Sequence, residues 1–283
     1  MLKELNLSER YGPQSWVLIT ASSDGIGGAL AVAFAKRGFN VVINGRTEEK
    51  IKVKQEEIKK IAPAVKTRAL VRDFSQCAQP GFFEAVHQEL KGLDISILVN
   101  NVGIASANLP GIQKAEDIQS TVIINTLAQT MMWHYFSPDM QTRKHKSAII
   151  DLSSLKALGP SNFAPLYIAT KAFNKYLTIS LSLTQRYPNI DKLCLTPGFI
   201  STILTAKLPD TKLTSTSDDC AESVLRVLGQ TEHSYTTKKS AMHGLVNEFL
   251  YSVLPTKYAA KAALAFWMFI QNPQKAETPK KEN

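Results

Sequence analysis

The sequence predicts an α/β fold: a doubly wound parallel sheet with helices on both faces, in a single domain with a helical C-terminal extension. Short apolar, β-branched runs alternate with longer helical patterns over the first two-thirds of the 283 residues. Most of these short runs end in polar or glycine-bearing residues, and no repeat or linker-like stretch divides the chain. Strands separated by helices of this length pair in parallel through right-handed crossovers.

The first two strands flank a helix. WVLIT at residues 16–20 is apolar and β-branched, as a buried strand requires. GGALAVAFAKRG then predicts a helix that ends at Gly38. VVIN at 41–44 is the second strand, and EEKIKVKQEEIKKIA follows as a helix whose charged face is solvated.

The same alternation continues to the end of the predicted sheet. The later strands are 67–73, 95–99, SAIIDLS and 192–196, and the helices between them are GFFEAVHQEL, about 116–137 and about 162–187. Residues 198–217 are predicted to be a loop-rich cover for a cleft, and 218–270 are mainly helical. The chain therefore divides into a lead-in at 1–15, a sheet domain at 16–230 and a C-terminal extension at 231–283.

Ligands of such sheets bind in the crevice beyond the carboxyl ends of the strands. The strand ends here carry TASSDGIG, NGR, RDFS, NNVG, DLSS and TPGF. These polar, small and glycine-bearing stretches are suited to line a site.

Composition excludes several classes of protein. The net charge of +9 does not by itself identify a binding partner. The sequence contains no basic patch interleaved with aromatic residues, so nucleic-acid binding is not expected. Cys77, Cys194 and Cys220 are too widely spaced for a disulfide framework or zinc site, and we expect no metal. Residues 1–15 are polar, so no secretory signal is expected.

A membrane-spanning helix is also not expected, because no run of 18 apolar residues occurs. The nearest candidate is residues 258–270, which Lys261 interrupts. This stretch predicts either a buried C-terminal helix or a helix that lies in a membrane interface.

The turn TASSDGIG has the context of a phosphate-binding turn. A strand precedes it and a helix follows, so the helix N-terminus offers free N–H groups and partial positive charge. The alternative is a tight turn without a ligand. Ala21 stands where such turns usually have glycine, and at positive φ its Cβ would cost about 1–2 kcal/mol.

Tyr167 and Lys171 lie four residues apart on a predicted helix, hence on one face. A free tyrosine has a pKa near 10, and an ammonium one turn away is expected to lower it toward the range useful for acid–base catalysis. Ser154, thirteen residues earlier, could hydrogen-bond a carbonyl beside that phenol.

Taken together, these motifs resemble the short-chain dehydrogenase/reductase family. The set comprises Thr20, Gly25 and Gly27, NNVG, Asn125, Ser154, Tyr167, Lys171 and the PG at 197–198, and the resemblance runs from Trp16 to Thr202. It implies a Rossmann-like domain. It also implies that Tyr167 transfers a proton, Lys171 tunes it, Ser154 orients the carbonyl and Asn125 anchors a proton-relay water.

The resemblance further implies a set of cofactor contacts. These are Thr20, Ser22, Asp24, Gly25, Ile26, Gly27, Arg46, Asp73, Asn100, Gly103, Tyr167, Lys171, Pro197 and Thr202. Asp73 would meet the adenine, Asn100 would line the cofactor channel and Thr202 would contact the carboxamide. Arg46 follows the second strand where an acidic residue would select NAD, so we predict NADP(H).

Within that family, SDGIG and NNVG resemble the branch of microsomal 3-ketoacyl-CoA reductases and 17β-hydroxysteroid dehydrogenases. The resemblance implies an NADPH-dependent reductase of a lipid ketone, with 3-ketoacyl-CoA in fatty-acid elongation as substrate. A steroid or other lipid ketone is the alternative substrate. A non-catalytic, membrane-associated interaction protein on the same fold is an alternative of another class.

The last four residues, KKEN, place Lys280 and Lys281 where a dilysine signal would retrieve a protein to the endoplasmic reticulum. We therefore expect the cytosolic face of that membrane, with surface contact through the C-terminal region, and otherwise the cytoplasm. Branch members usually carry an N-terminal membrane segment, and this chain begins too late to hold one. The expected partners are a small-molecule lipid substrate and, for a homo-oligomer, a second copy.

Overall fold

A seven-stranded parallel sheet organises the chain. The computed structural model describes residues 5–105, 113–160, 164–202 and 214–271. The strands are β1 Trp16–Ile19, β2 Asn40–Gly45, β3 Thr67–Val71, β4 Ile95–Asn100, β5 Ser147–Leu152, β6 Ile190–Leu195 and β7 His233–Ser234. Their order is β3-β2-β1-β4-β5-β6-β7, and every pair is parallel. The strand order reverses direction between β1 and β4, which is where ligands of such sheets bind.

Helices connect these strands and cover the sheet. They are α1 Leu7–Tyr11, α2 Gly25–Lys36, α3 Glu48–Ile61, α4 Phe82–Glu89, α5 Ala115–Val122, α6 Ala128–Gln141, α7 Pro165–Leu183, α8 Ser217–Val227, α9 Lys238–Val253 and α10 Thr256–Gln271. A π-helical turn, Ile123–Leu127, joins α5 to α6, and 3₁₀ turns occupy Phe74–Gln76 and Leu155–Leu158.

Both faces of the sheet are packed, which confirms the predicted fold class. β2, β4 and β5 are buried at every position, as expected when helices cover two faces. One core cluster joins the sheet to α2 and α8 through residues such as Phe34 and Val224. The other joins it to α4 and α6 through Phe83, Trp133 and Phe136.

Element ends differ from the predicted ones where long-range contacts decide them. The predicted helix at 116–137 begins at Ala115, contains the π-helical turn and runs to Gln141 despite Pro138. The predicted helix at 162–187 spans only Pro165–Leu183 among the described residues. Pro165 fits the first turn of α7, because a backbone N–H at that position would have no hydrogen-bond partner within the helix.

The short strand β7 lies beyond residue 230, the predicted end of the sheet domain. Cys194 pairs with His233 and Leu195 with Ser234, so the sheet continues past that boundary. A two-residue strand has no periodicity to detect, and only its position beside β6 defines it. The division into lead-in, domain and extension stays a prediction.

A helix that crosses a bilayer needs about 20 predominantly apolar residues. Within residues 5–105, 113–160, 164–202 and 214–271, no helix is long and apolar enough to cross a membrane.

Candidate active site

The turn after β1 is held from within by two hydroxyl groups. Thr20 Oγ1 accepts hydrogen bonds from the backbone N–H groups of Asn101 and Val102, both at 2.9 Å. Ser22 Oγ donates to the Ile19 carbonyl at 2.8 Å and accepts from the Asn44 N–H at 3.0 Å. Both residues are fully buried, which corrects the predicted cofactor contacts: Thr20 and Ser22 shape the turn.

Ala21 adopts a left-handed conformation with φ of +51°. Its N–H donates to Asn44 Oδ1 at 2.8 Å, and its carbonyl accepts from Asn101 Nδ2 at 2.9 Å. The turn therefore keeps its shape although a Cβ occupies a position that favours glycine.

The start of α2 leaves room and hydrogen-bond donors for a phosphate. Gly25 has φ of +58°, and a Cβ on Gly27 would lie 2.5 Å from both the Ala21 carbonyl and Asn101 Nδ2. Asp24 precedes the helix without a side-chain capping bond. The first N–H groups are thus not capped by that carboxylate, and the helix dipole adds partial positive charge there.

Two adjoining cavities run along the carboxyl ends of the strands. The smaller, about 190 Å³, is lined by Ala21, Asp24, Gly25, Ile26, Asn101, Gly103, Leu152, Ser153, Tyr167, Lys171, Pro197 and Thr202. The larger, about 660 Å³, lies over the ends of β2 and β3 and shares Ala21, Asp24 and Gly103 with the smaller. Most of the predicted cofactor contacts therefore line one continuous crevice.

The larger cavity has a cationic end. Arg46, Lys50 and Arg72 line it together with Asp73. Arg72 is paired with Glu89 at 2.5 Å, whereas Arg46 and Lys50 are exposed and in no ion pair within the described residues. This end suits a phosphate, which the predicted role of Arg46 requires.

Asp73 lies in this cavity as predicted, and its side chain also holds the local backbone. Its Oδ1 accepts a hydrogen bond from the Ser75 N–H at 2.9 Å at the start of the Phe74–Gln76 turn. Lys50 was not singled out from the sequence, because a lysine one turn into a charged helix has no distinguishing pattern.

Tyr167 lies half-buried in the first turn of α7 and lines the smaller cavity. Burial raises the pKa of its phenol, and a hydrogen bond with the Ser154 side chain opposes that rise. The expected lowering of this pKa by Lys171 is not what the structure gives. Tyr167 therefore stays protonated at neutral pH, as a proton donor must.

Lys171 is buried in the floor of the crevice. Its Nζ donates a hydrogen bond to the Leu152 carbonyl at 2.8 Å. Burial lowers the pKa of Lys171 to about 8, although the charge of Asp151 favours the protonated form. Its charge is therefore sensitive to pH just above neutrality.

Ser154 begins the 3₁₀ turn that follows β5. Its Oγ accepts from the Lys156 N–H at 3.2 Å and interacts with Tyr167, so the hydroxyl is fixed beside the phenol. The Ser154 position beside Tyr167 agrees with the sequence-based expectation.

Asn125 lies in the π-helical turn and is buried. Its Oδ1 accepts from the Ile104 N–H at 2.8 Å, and its Nδ2 donates to the Ile104 carbonyl and to Thr170 Oγ1, both at 2.9 Å. The amide thus fixes the loop after β4. A Cβ on Gly103 in that loop would lie 3.2 Å from Lys171 Nζ, so glycine permits the close approach.

Asn100 does not line the crevice, contrary to the prediction. Its Nδ2 donates to Asp151 Oδ1 at 2.7 Å inside the sheet, and its neighbour Asn101 lines the cavity instead. Successive side chains of a strand point to opposite faces, so an error of one residue reverses the direction.

Asp151 is the main buried group that the sequence did not single out. The carboxylate is fully buried and accepts hydrogen bonds from Asn100, Trp133 and Thr178 at 2.7–2.8 Å. Burial nevertheless raises its pKa to about 6. An aspartate within a strand could have signalled a buried network, since charged residues are rare there.

Pro197 and Thr202 line the smaller cavity, and Thr202 lies close to the start of α2. A Cβ on Gly25 would lie 3.6 Å from the Thr202 methyl group, so the two segments nearly touch. Residues 203–213, within the predicted cleft cover at 198–217, and Lys280 and Lys281 fall outside the described residues.

The chain is similar to several known proteins. The family described as short chain dehydrogenase matches residues 15–213. A very-long-chain 3-oxoacyl-CoA reductase of Ajellomyces capsulatus is 28% identical over 253 residues, 87% of this chain and 74% of that protein. A 17-beta-hydroxysteroid dehydrogenase type 3 of Rattus norvegicus is 31% identical over 213 residues, 75% of this chain and 68% of that protein.

Among solved structures, the chain is similar to a short-chain dehydrogenase from Sphingobium yanoikuyae in complex with NADPH. The TM-score is 0.71 at 22% identity, covering 95% of this chain and 98% of that one. The two proteins share their fold.

Proposed function

The chain belongs to the short-chain dehydrogenase family, and from that premise we propose that it is an NADPH-dependent reductase of 3-ketoacyl-CoA thioesters in fatty-acid elongation. The observation that carries the proposal is one crevice with Tyr167, Ser154 and Lys171 at one end and Arg46 and Lys50 at the other. The acyl-CoA substrate class follows the relatives named very-long-chain 3-oxoacyl-CoA reductase.

The residues of the crevice fit NADP(H). The N-terminal turn of α2 would hold the pyrophosphate, since Gly25 lines the crevice there and the Asp24 side chain does not cap the helix. Gly27, a predicted cofactor contact, is buried and instead allows the turn after β1 to pack closely against α2. Arg46 would hold the 2′-phosphate with Lys50 beside it. Asp73 would lie at the adenine, and Thr202 and Pro197 at the nicotinamide. When bound, this cofactor supplies the hydride for the ketone carbon.

Three side chains then act on the ketone oxygen. Ser154 Oγ–H donates a hydrogen bond to the carbonyl oxygen and orients it. Negative charge develops on that oxygen during reduction, and the Tyr167 phenol transfers its proton there. Lys171 places a positive charge near the phenolate that remains. Because these donors are fixed before the reaction, no solvent has to reorganise as the charge develops. Such preorganised stabilisation is usually the largest contribution to the rate enhancement.

Asn125 would have a supporting role. Its side-chain amide already binds Ile104 and Thr170. The predicted proton-relay water would therefore bind to the main-chain carbonyl of Asn125. This residue lies in the π-helical turn, and such turns often mark functional sites.

A steroid ketone is the second candidate substrate, favoured by the similarity to 17-beta-hydroxysteroid dehydrogenase type 3. Either substrate is a small-molecule lipid and needs the same proton donor. A non-catalytic role is not favoured, because a scaffold has no need of Ser154, Tyr167 and Lys171 around one cavity.

The finer cellular setting is part of the same proposal. The cytosolic face of the endoplasmic reticulum membrane is supported by the Lys280–Lys281 pattern and by the branch that the sequence resembles. Contact between the C-terminal region and a membrane surface, and assembly into a homo-oligomer, are proposed with it.

The proposal is tested by NADPH oxidation with 3-ketoacyl-CoA and steroid ketones, each assayed with purified wild type, Tyr167→Phe and Tyr176→Phe. Tyr176 lies on the same helix, is 67% exposed and lines neither cavity, so it is a matched control. Tyr167→Phe is expected to lose a factor of about 10²–10⁴ in rate, the usual contribution of a positioned proton donor. Equal rates for wild type and Tyr167→Phe on every ketone would refute the proposed chemistry.

A further inference from the structure

The helix α9 has one face packed against the active-site side of the molecule. Ser240, His243 and Asn247 are buried on this face. Ser240 Oγ accepts from the Gly198 N–H at 3.1 Å, and the Tyr251 hydroxyl donates to the Pro160 carbonyl at 2.6 Å. These contacts fix α9 to the two segments that follow Ser154 and Pro197.

The opposite face of α9 is apolar and exposed. Met242, Leu245, Phe249 and Val253 are 49%, 60%, 64% and 55% exposed. Their spacing of three and four residues places them in one row, here called the α9 stripe, which is about 16 Å long at 1.5 Å per residue. A surface helix normally carries polar residues opposite its buried face, so this face has the character of a contact surface.

Exposed lysines precede and follow the α9 stripe along the chain. Lys238 begins the helix, and Lys257 and Lys261 follow it on α10; all three are exposed. Glu248 is the sole acidic residue between 238 and 266, and it pairs with Lys175 at 3.5 Å. An apolar row flanked by lysines matches an anionic bilayer, in which acyl chains lie beneath negative head groups.

We propose that the α9 stripe docks onto an anionic lipid surface, with α9 lying in the interface rather than crossing the bilayer. This inference deepens the proposed membrane contact and rests on it for the cellular setting, but not on the identity of the ketone. Because the buried face of α9 contacts Pro160 and Gly198, docking places the bilayer on the opposite side of α9 from the segments that follow Ser154 and Pro197.

Vesicle co-sedimentation of the full chain tests the proposal. The vesicles are phosphatidylcholine alone and phosphatidylcholine mixed with phosphatidylserine. Leu245→Glu/Phe249→Glu is compared with Val53→Glu/Ile61→Glu, which places the same charges at exposed apolar positions of α3. We expect wild type and the α3 variant to bind the anionic vesicles, and the stripe variant to show at least a tenfold lower partition coefficient.

A second variant tests the charge. Lys257→Glu/Lys261→Glu keeps the α9 stripe and is expected to weaken binding to anionic vesicles while leaving the weak binding to phosphatidylcholine unchanged. Equal wild-type binding to both kinds of vesicle, or equal binding by wild type and the stripe variant, overturns the proposal. Light scattering that shows a wild-type dimer, a monomeric stripe variant and no vesicle binding assigns the face to a second copy and also overturns it.

Reductase assays with a water-soluble, short-chain 3-ketoacyl-CoA separate the two proposals. The stripe variant is expected to retain wild-type activity in solution, because none of its substituted residues lines the crevice. Stripe-dependent vesicle binding by a wild-type chain without reductase activity would refute the proposed function alone.

Discussion

Ala21 shows how one residue changes the cofactor turn without removing its donors. Its φ of +51° places a Cβ in the left-handed region, at a cost of about 1–2 kcal/mol. The hydrogen bonds to Asn44 and Asn101 hold it there. Alanine in place of glycine at position 21 therefore strains the backbone of the turn, but it removes none of the N–H groups at the start of α2.

Replacing Ala21 by glycine is expected to stabilise the fold by at most about 1 kcal/mol, because relief of strain is partly offset by the greater freedom of glycine in the unfolded chain. NADPH affinity should rise by tenfold or less. Urea denaturation and fluorescence titration measure the two effects. A hundredfold gain in affinity would mean that Ala21 severely weakens NADPH binding in the wild-type protein.

Lys171 gives the reaction a pH dependence with a defined sign. Burial lowers its pKa to about 8, so the ammonium is present below that pH and lost above it. The kcat/KM for ketone reduction should therefore decline above about pH 8. Lys171→Arg retains its charge at all accessible pH values, so its lower activity should show no decline there. A pH profile with the same inflection in both proteins would contradict this role.

For individual residues, the sequence predicted which segments form the site better than it predicted which side chains point into the crevice. Tyr167, Lys171, Gly25 and Arg46 line the crevice as expected. Thr20, Ser22 and Asn100 are buried instead, because their side chains complete hydrogen bonds between neighbouring strands. Such pairing depends on the three-dimensional register, which motif spacing does not contain.

At the scale of elements, Asp151 ties β5 to its neighbours. The carboxylate joins Asn100 of β4, Trp133 of α6 and Thr178 of α7. Periodicity predicted these four elements separately, since each has a clear apolar pattern. Their ends and this polar connection arise from packing, which is also why the π-helical turn and β7 escaped prediction.

Asp151→Ala leaves the buried Asn100 amide and Trp133 indole donors without their acceptor, whereas the Thr178 hydroxyl keeps the Asn174 carbonyl. The substitution is expected to cost about 3 kcal/mol or more of unfolding free energy. The wild-type carboxyl has a native pKa of about 6, above the 3.8 of an unperturbed aspartate. The native state thus binds this proton more tightly, and the contribution of Asp151 to stability is lost as pH rises from about 4 through 6. Urea denaturation of both proteins across that range measures the difference. A cost below 1 kcal/mol would show that the network is dispensable.

At the scale of the whole molecule, the crevice crosses the sheet at the β1–β4 reversal and joins residues from both ends of the matched region. The fold class was predictable because strand and helix periodicities agree along the chain. The course of the crevice was predictable because parallel strands align their carboxyl ends.

Cofactor binding should stabilise the entire fold. At one hundred times its Kd, NADPH adds about 2.7 kcal/mol, which raises Tm by about 4–5 °C for a chain of this size. NADH at the same concentration should have a smaller effect in wild type. Arg46→Asp should reverse the preference, whereas Arg68→Asp, an exposed change on β3 outside the crevice lining, should not. An unchanged preference in Arg46→Asp would refute the assigned role of Arg46.

The most direct test of the central claim follows the hydride itself. NADPH carrying deuterium in the transferred C4 position is incubated with 3-ketoacyl-CoA and the wild-type chain, and the product is analysed by mass spectrometry. The account predicts a 3-hydroxyacyl-CoA that carries deuterium at C3, formed by wild type and by Tyr176→Phe but only in trace amounts by Tyr167→Phe. No labelled product from wild type, or equal amounts from wild type and Tyr167→Phe, would contradict it.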